Sequence, residues 1–177
     1  KIKQIARKYH GLSLTGYVTK SWEHGRFNDP YLRDTCLDFG VVIDTMECSV
    51  NWSNMEQVHL DVRKICKERP NTIVTTHMSH VYPQGANLYF IFMSKFDDAE
   101  EFKKYHSSIL DAILKSGASM SHHHGIGKMF GPWLESYIGE KEFGVFRTLK
   151  TYFDPKNLMN PGGTIGLDVD PKERHNK

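Results

Sequence analysis

The 177 residues carry a formal net charge of +2, with 39% hydrophobic and 25% charged side chains, a composition typical of globular proteins with room for one ordinary core. So balanced a charge offers nothing to a nucleic acid, and no apolar run approaches the ~20 residues of a membrane span. The three cysteines, Cys36, Cys48 and Cys66, are odd in number and lack C-x-x-C spacing. They read as buried thiols of a reducing compartment rather than a disulfide framework.

The chain opens on a helical pattern at Lys1 without an initiator methionine, which reads as part of something longer. Ile2, Ile5 and Ala6 share one helical face, and Gly11 is the stop. Residues 12–28, rich in glycine and aromatics, read as a loop with at most one helical turn. Glu23-His24-Gly25-Arg26 concentrates charge there, as a solvated loop or a functional one. Asp29 and Pro30 are the cap and first position of a helix that contains Arg33 and ends at Gly40.

Val41–Ser49 alternates weakly and is β-branched, so a strand is expected. Ser53-x-x-Glu56 has the form of a capping box, and the helix after it puts Met55, Val58, Val62 and Ile65 on one stripe. Strands are expected over Thr72–Val81 and Ala86–Lys95, joined by the turn Tyr82-Pro83-Gln84-Gly85. Asp97-Asp98 opens a helix with Phe102, Ile109 and Ile113 buried, and Ala118–Ser121 is a candidate fourth strand. This β-α-β-β-α-β order over residues 41–121 predicts an α+β, ferredoxin-like antiparallel sheet with helices on one face. Helices flank it: a lead-in over 1–40, and a histidine loop with C-terminal helices over 122–167. Within that last segment Val145, Phe146, Leu149 and Tyr152 are expected to be buried. A charged tail follows over 168–177.

The chemistry concentrates in Ser121-His122-His123-His124-Gly125-Ile126-Gly127-Lys128. Histidine exchanges protons near neutral pH with least adjustment, and the glycines let the backbone bend. Three adjacent imidazoles point in different directions, and His77 and His80 are expected on opposite sides of a strand, so no metal site is expected. Gly125-x-Gly127-Lys128 lacks the spacing of a phosphate loop. Arg26, Arg33 and Lys128 could still hold an anion through charge-assisted hydrogen bonds. Tyr82 becomes an acid–base candidate if the hairpin folds over the histidines; on its own, a turn tyrosine is a packing residue.

The histidine segment, with Pro132-Trp133-Leu134, resembles the C-terminal region of the alkyldihydroxyacetonephosphate synthases, among the vanillyl-alcohol-oxidase-like flavoproteins. Three more stretches agree in order: Tyr31-Leu-Arg-Asp34 with Phe39-Gly40; Ser79-His-Val-Tyr82 with Ala86-Asn-Leu-Tyr-Phe90; and Leu149 to Pro155 with Asn160-Pro-Gly162. Relatives that oxidise 2-hydroxy acids carry Glu-His-Gly where this chain has His123-His124-Gly125. The resemblance implies an FAD enzyme that replaces the acyl group of acyl-dihydroxyacetone phosphate with a fatty alcohol, without net redox change. It implies Tyr82 as acid–base group, His122, His123 and His124 as proton handlers, and Arg33 on the phosphate or the acyl group. Arg26 and Lys128 are further candidates for substrate contact, added from their charge and not from the resemblance, and Asn160 is expected near the flavin. The FAD-binding domain of such enzymes precedes this region, so the chain alone is expected neither to bind FAD tightly nor to turn over. A membrane surface and a homodimer are compatible with the parent protein, cytoplasmic in a bacterium and peroxisomal in a eukaryote. Two other readings compete: a flavin oxidase or dehydrogenase of a small hydroxylated substrate, such as a 2-hydroxy acid or aryl alcohol, and a free-standing ferredoxin-like binding module.

Overall fold

The structure is a computed structural model that describes residues 1–14 and 16–163; the expected tail over 168–177 lies outside the described residues. The chain divides into two compact units, Lys1–Ile43 and Asp44–Lys177.

The first unit holds three helices: α1 (Ile2–Lys8), α2 (Tyr17–Gly25) and α3 (Asp29–Asp38). The expected loop over 12–28 is therefore corrected, since nine of its residues form α2. The glycines that suggested a loop sit at that helix's ends: Gly16 is its N-cap and Gly25 its last residue. Neither α1 nor α2 buries a side chain. Gly40 follows α3 with φ +71°, a left-handed stop that suits glycine.

The second unit is built on a three-stranded antiparallel sheet in the order β1-β3-β2. Strand β1 is Val41–Asn51, entering from the first unit; β2 is Ile73–Ser79 and β3 is Gly85–Lys95. Strands β2 and β3 pair with Val74 opposite Phe92, Thr76 opposite Phe90 and His77 opposite Tyr89. Because side chains alternate along a strand, each strand presents one residue set to each face. Met46, Cys48 and Val50 of β1 join Leu88, Phe90 and Phe92 of β3 in the core. Helices α4 (Met55–Glu68) and α5 (Ala99–Lys115) complete it with Val58, Val62, Cys66, Ile109 and Ile113. The predicted stripes of α4 and α5 face the core, with Phe102 half-buried, and the α+β class with helices packed on the sheet stands.

Asn28, not Asp29, is the N-cap of α3, and in the second unit four further local expectations fail. The capping box at Ser53 does not form: Trp52–Asn54 is a 3-10 turn, and α4 starts at Met55 with no side-chain cap bond. The Asn54 side chain instead donates to the carbonyl of Ser116, tying the start of α4 to the end of α5. Residues 118–121 form no fourth strand. They run beside β1, where the backbone N–H of Ser119 donates to the carbonyl of Ser49 and the Ser119 hydroxyl accepts from the N–H of Ser49. A side chain thus occupies a place a ladder partner would take, which ends the pairing. His80 lies beyond β2 with φ +49°, not on the strand.

The fourth failure lies in the last two helices, α6 (Gly127–Ile138) and α7 (Glu140–Phe153). They add Phe130, Leu134 and Phe143 to the core. The residues expected to be buried on α7, Val145, Phe146, Leu149 and Tyr152, are exposed, and Phe143 is the buried one. The sequence stripe identifies an apolar face, but not what covers it.

Gly85 has little freedom to change. A Cβ there would lie 2.0 Å from the backbone oxygen of Val50. The close approach of β3 to β1 at this point therefore requires glycine, and Tyr82 is held next to it, donating its N–H to the Gly85 carbonyl at 2.8 Å.

Candidate active site

Opposite the helices, the sheet presents Thr45, Glu47 and Ser49 from β1, Asn87 and Tyr89 from β3, and His77 and Ser79 from β2, by the same alternation. The histidine loop lies on this polar face, and its anchor is Glu47. That carboxylate is 1% exposed. Oε1 accepts the Ser121 hydroxyl at 2.7 Å and the backbone N–H groups of His122, His123 and His124 at 2.7, 3.0 and 3.1 Å. Oε2 accepts a second bond from the His122 N–H at 2.9 Å. Three successive amides directed at one carboxylate curl the loop around it.

Burial alone pushes the Glu47 carboxyl up. The Ser121 hydroxyl and the N–H groups of His123, His124 and His122 outweigh that and hold it below its ordinary value. Burial, reinforced by this neighbouring negative charge, pushes the Cys48 thiol up to about 12, which leaves it an inert core residue. The cysteines are free; Cys48 and Cys66 are buried as expected, and Cys36, expected to be buried too, is half-buried.

With the loop anchored, its imidazoles meet the hairpin. The Tyr82 phenol oxygen is 3.0 Å from Nε2 of His122. The Nδ1 atoms of His122 and His123 are also 3.0 Å apart, and Nδ1 of His123 lies 3.5 Å from Oε2 of Glu47. The ring of His80 sits 4.9 Å from that of His122 and 4.8 Å from that of His123. Tyr89 meets His124 edge-on at 5.2 Å, stacks on His77 at 4.8 Å and donates its hydroxyl to Thr45. The Tyr82 turn is itself pinned, because the indole N–H of Trp52 is shared between the carbonyls of Tyr82 and Pro83, each at 3.1 Å. The cluster stays open to solvent, with Tyr82 47% exposed and the His123 side chain 38% exposed. A cavity of about 290 Å³ at Tyr82 has a mixed lining, with Ser49, Asn51, Gln84 and Ser119 beside Val50 and Ala86.

Of the residues singled out in the sequence, Tyr82, His122, His123 and His124 come together here. Lys128 is exposed on the first turn of α6, and the bonds and ring contacts that build the cluster among the described residues do not include it. Arg26 and Arg33 belong to the first unit. The Arg26 guanidinium lies over the rings of Phe27 and Trp22, and Arg33 is exposed beside Asp34. Asn160 is exposed, with φ +50° and its carbonyl accepting the Gly163 N–H, in a turn that Asp154 organises through the N–H groups of Leu158 and Met159.

Three participants were missed: Glu47, His80 and Tyr89. The signal for Glu47 was a lone acid flanked by Met46 and Cys48, which alternation turns to the opposite face. Nothing local marks His80; its left-handed backbone swings the ring into the cluster. Adjacent histidines alone do not converge on an ion, but His80 approaches them from the end of β2. Ligand atoms of His80, His122 and His123 all lie within 4.8 Å of one another, a spacing open to a cation.

Comparison with known proteins places the chain. The family described as "FAD linked oxidases, C-terminal domain" matches residues 13–164. The chain belongs to this family. Alkyldihydroxyacetonephosphate synthase of Dictyostelium discoideum is 34% identical over 98% of the chain and 29% of its own length. An uncharacterised FAD-linked oxidoreductase of Escherichia coli K12 is 35% identical over 67% of the chain and 27% of its own length. A solved structure of alkyldihydroxyacetonephosphate synthase superposes with a TM-score of 0.55 at 28% identity, covering 80% of this chain and 23% of that one. The chain thus spans less than a third of the length of these relatives. The residues present suit one side of a flavin site: exposed phenol and imidazole groups can face a ring system and a substrate. They do not form a dinucleotide cradle, since Gly125-x-Gly127-Lys128 follows a bend rather than a strand.

Proposed function

We propose that the chain forms the substrate-side wall of an FAD-dependent alkylglycerone-phosphate-synthase-like enzyme, exchanging acyl for alkyl on acyl-dihydroxyacetone phosphate. The observation that carries this reading is the 3.0 Å bond between Tyr82 and His122 on a loop anchored by Glu47. A phenol held by an imidazole at an open surface can give or take a proton at its oxygen. FAD, when bound, supplies the electrophilic ring system of the reaction.

This chain's groups do the rest. Tyr82 moves a proton at Oη, with His122 as its partner, and His123 and His124 keep further proton-carrying nitrogens beside the substrate. Arg33, with Arg26 and Lys128, would supply the positive charge that a phosphate requires. Asn160 would contribute to the flavin side. The exposed apolar residues Val145, Phe146, Leu149 and Tyr152 of α7 suit burial against further polypeptide or a second copy. A fatty alcohol co-substrate suits an enzyme working close to a membrane surface.

A second reading, a flavin oxidase or dehydrogenase of a small hydroxylated substrate, is favoured by the similarity to the E. coli FAD-linked oxidoreductase. The full-length protein incubated with an electron acceptor and, in separate reactions, with acyl-dihydroxyacetone phosphate plus fatty alcohol or with a 2-hydroxy acid or aryl alcohol separates the two. We expect alkyl product with the acceptor unreduced. Acceptor reduction by a 2-hydroxy acid or aryl alcohol, with no exchange product, overturns the first reading.

A further inference from the structure

Glu47 does more than hold the loop, because one of its oxygens faces a ring nitrogen. A neutral imidazole carries one ring proton, so across the 3.0 Å contact between Nδ1 of His122 and Nδ1 of His123 one ring donates and the other accepts. Two arrangements are available. In one, the proton sits on Nδ1 of His123, facing the Glu47 carboxylate at 3.5 Å and the bare Nδ1 of His122. In the other, His123 presents a lone pair to that carboxylate, so two acceptors confront each other at the edge of a buried negative charge. The first is electrostatically preferred.

Its consequence reaches Tyr82. With Nδ1 bare, a neutral His122 carries its proton on Nε2, the atom 3.0 Å from the phenol oxygen. The imidazole then donates and the phenol oxygen accepts. The phenol's own O–H is left free to turn toward the exposed mouth of the site. In the opposite arrangement Tyr82 would spend its proton on His122 and face the substrate with lone pairs only.

We propose that Glu47 is a positioning residue that sets the direction of the Tyr82–His122 hydrogen bond, acting through His123 so that the phenol presents its proton outward. His80, whose Nδ1 bonds the Ser79 hydroxyl at 3.0 Å, packs against both rings without a hydrogen bond to either among the described residues. It therefore leaves the choice to Glu47. The inference deepens the proposed function and rests on it for its kinetic consequence; the tautomer itself does not depend on any substrate.

The test is nitrogen NMR of selectively labelled histidines in the full-length flavin-loaded protein at neutral pH, with a chelator present and resonances assigned by single histidine variants. The wild type is expected to show His122 protonated on Nε2 and bare on Nδ1. Glu47→Gln is expected to shift His122 toward Nδ1 protonation, because a neutral amide no longer favours a donor on His123. Ser121→Ala removes one donor to Glu47 without touching a ring nitrogen and should leave the tautomer as in the wild type. In the exchange assay, Glu47→Gln should lower kcat about tenfold with KM changed less than about threefold. A wild-type His122 bare on Nε2 overturns the proposal even if the variant does not fold, as does an unchanged tautomer in a folded Glu47→Gln protein. Absence of exchange activity in the wild type would instead remove the proposed function and leave the tautomer result standing.

Discussion

On the side of the sheet that meets α4 and α5, Phe90 and Phe92 are fully buried in the apolar core, Phe92 edge-on to the ring of Tyr105, and carry no polar obligation. On the other side, alternate residues of the same strands carry a carboxylate, hydroxyls and rings, and the segment covering them is a loop rather than a helix. The first face is held by apolar area removed from water. The second is held by the donors that converge on Glu47, all of which lose their shared acceptor if the carboxylate is lost. One three-stranded sheet therefore separates stability from chemistry by residue parity. The chemical face can stay open to solvent because its order does not depend on excluding water.

The sharpest way to break this division is to damage each face and read the other. Phe90→Ala should cost about 3–5 kcal/mol in denaturant unfolding, since the lost contacts and the cavity add. At temperatures where the fold survives, the Tyr82–His122 bond should persist. Gly85→Ala touches both faces, because the added methyl meets the Val50 carbonyl at the end of the hairpin that carries Tyr82. Destabilisation of about 1–3 kcal/mol is expected in the same measurement, and a wild-type unfolding curve would show that β3 does not need glycine there.

On the chemical face alone, Tyr82→Phe and His124→Ala should each lower turnover more than about tenfold while leaving the unfolding midpoint in place. Wild-type rates in both would remove the site. Acid gives a smaller, selective probe. The folded Glu47 carboxyl lies below its ordinary value of 4.5. Its stabilisation is therefore complete above about that pH and is lost as pH falls through the lower, folded value. Unfolding free energies measured from neutral pH downward should fall more steeply in the wild type than in Glu47→Gln; parallel curves would mean the carboxylate is not what orders the loop. Least costly is Trp52→Phe, which removes the indole N–H shared by Tyr82 and Pro83. A loss of about 1 kcal/mol or less is expected, with faster amide exchange confined to the Tyr82 turn.

Most helices, the three strands and the Tyr82 turn could be read from periodicity and punctuation, because those signals report local backbone preference and which stripe avoids water. At two places where local signals misled, a distant group had intervened. The Asn54 side chain reaches Ser116 where a capping box was expected, and a serine hydroxyl ends pairing where a fourth strand was expected. On α7 the apolar stripe is present, but burial depends on a covering surface that no stripe can specify.

The amino-acid sequence by itself determined the α+β class and the family resemblance, and that resemblance nominated Tyr82, His122, His123 and His124 as proton handlers. Only the tertiary structure decided that Glu47, 75 residues before His122, anchors their loop and that His80 enters the same cluster. The reason is that a hydrogen bond is made across space. Strand alternation can say which face Glu47 occupies, but only the folded chain determines which donors are brought to it.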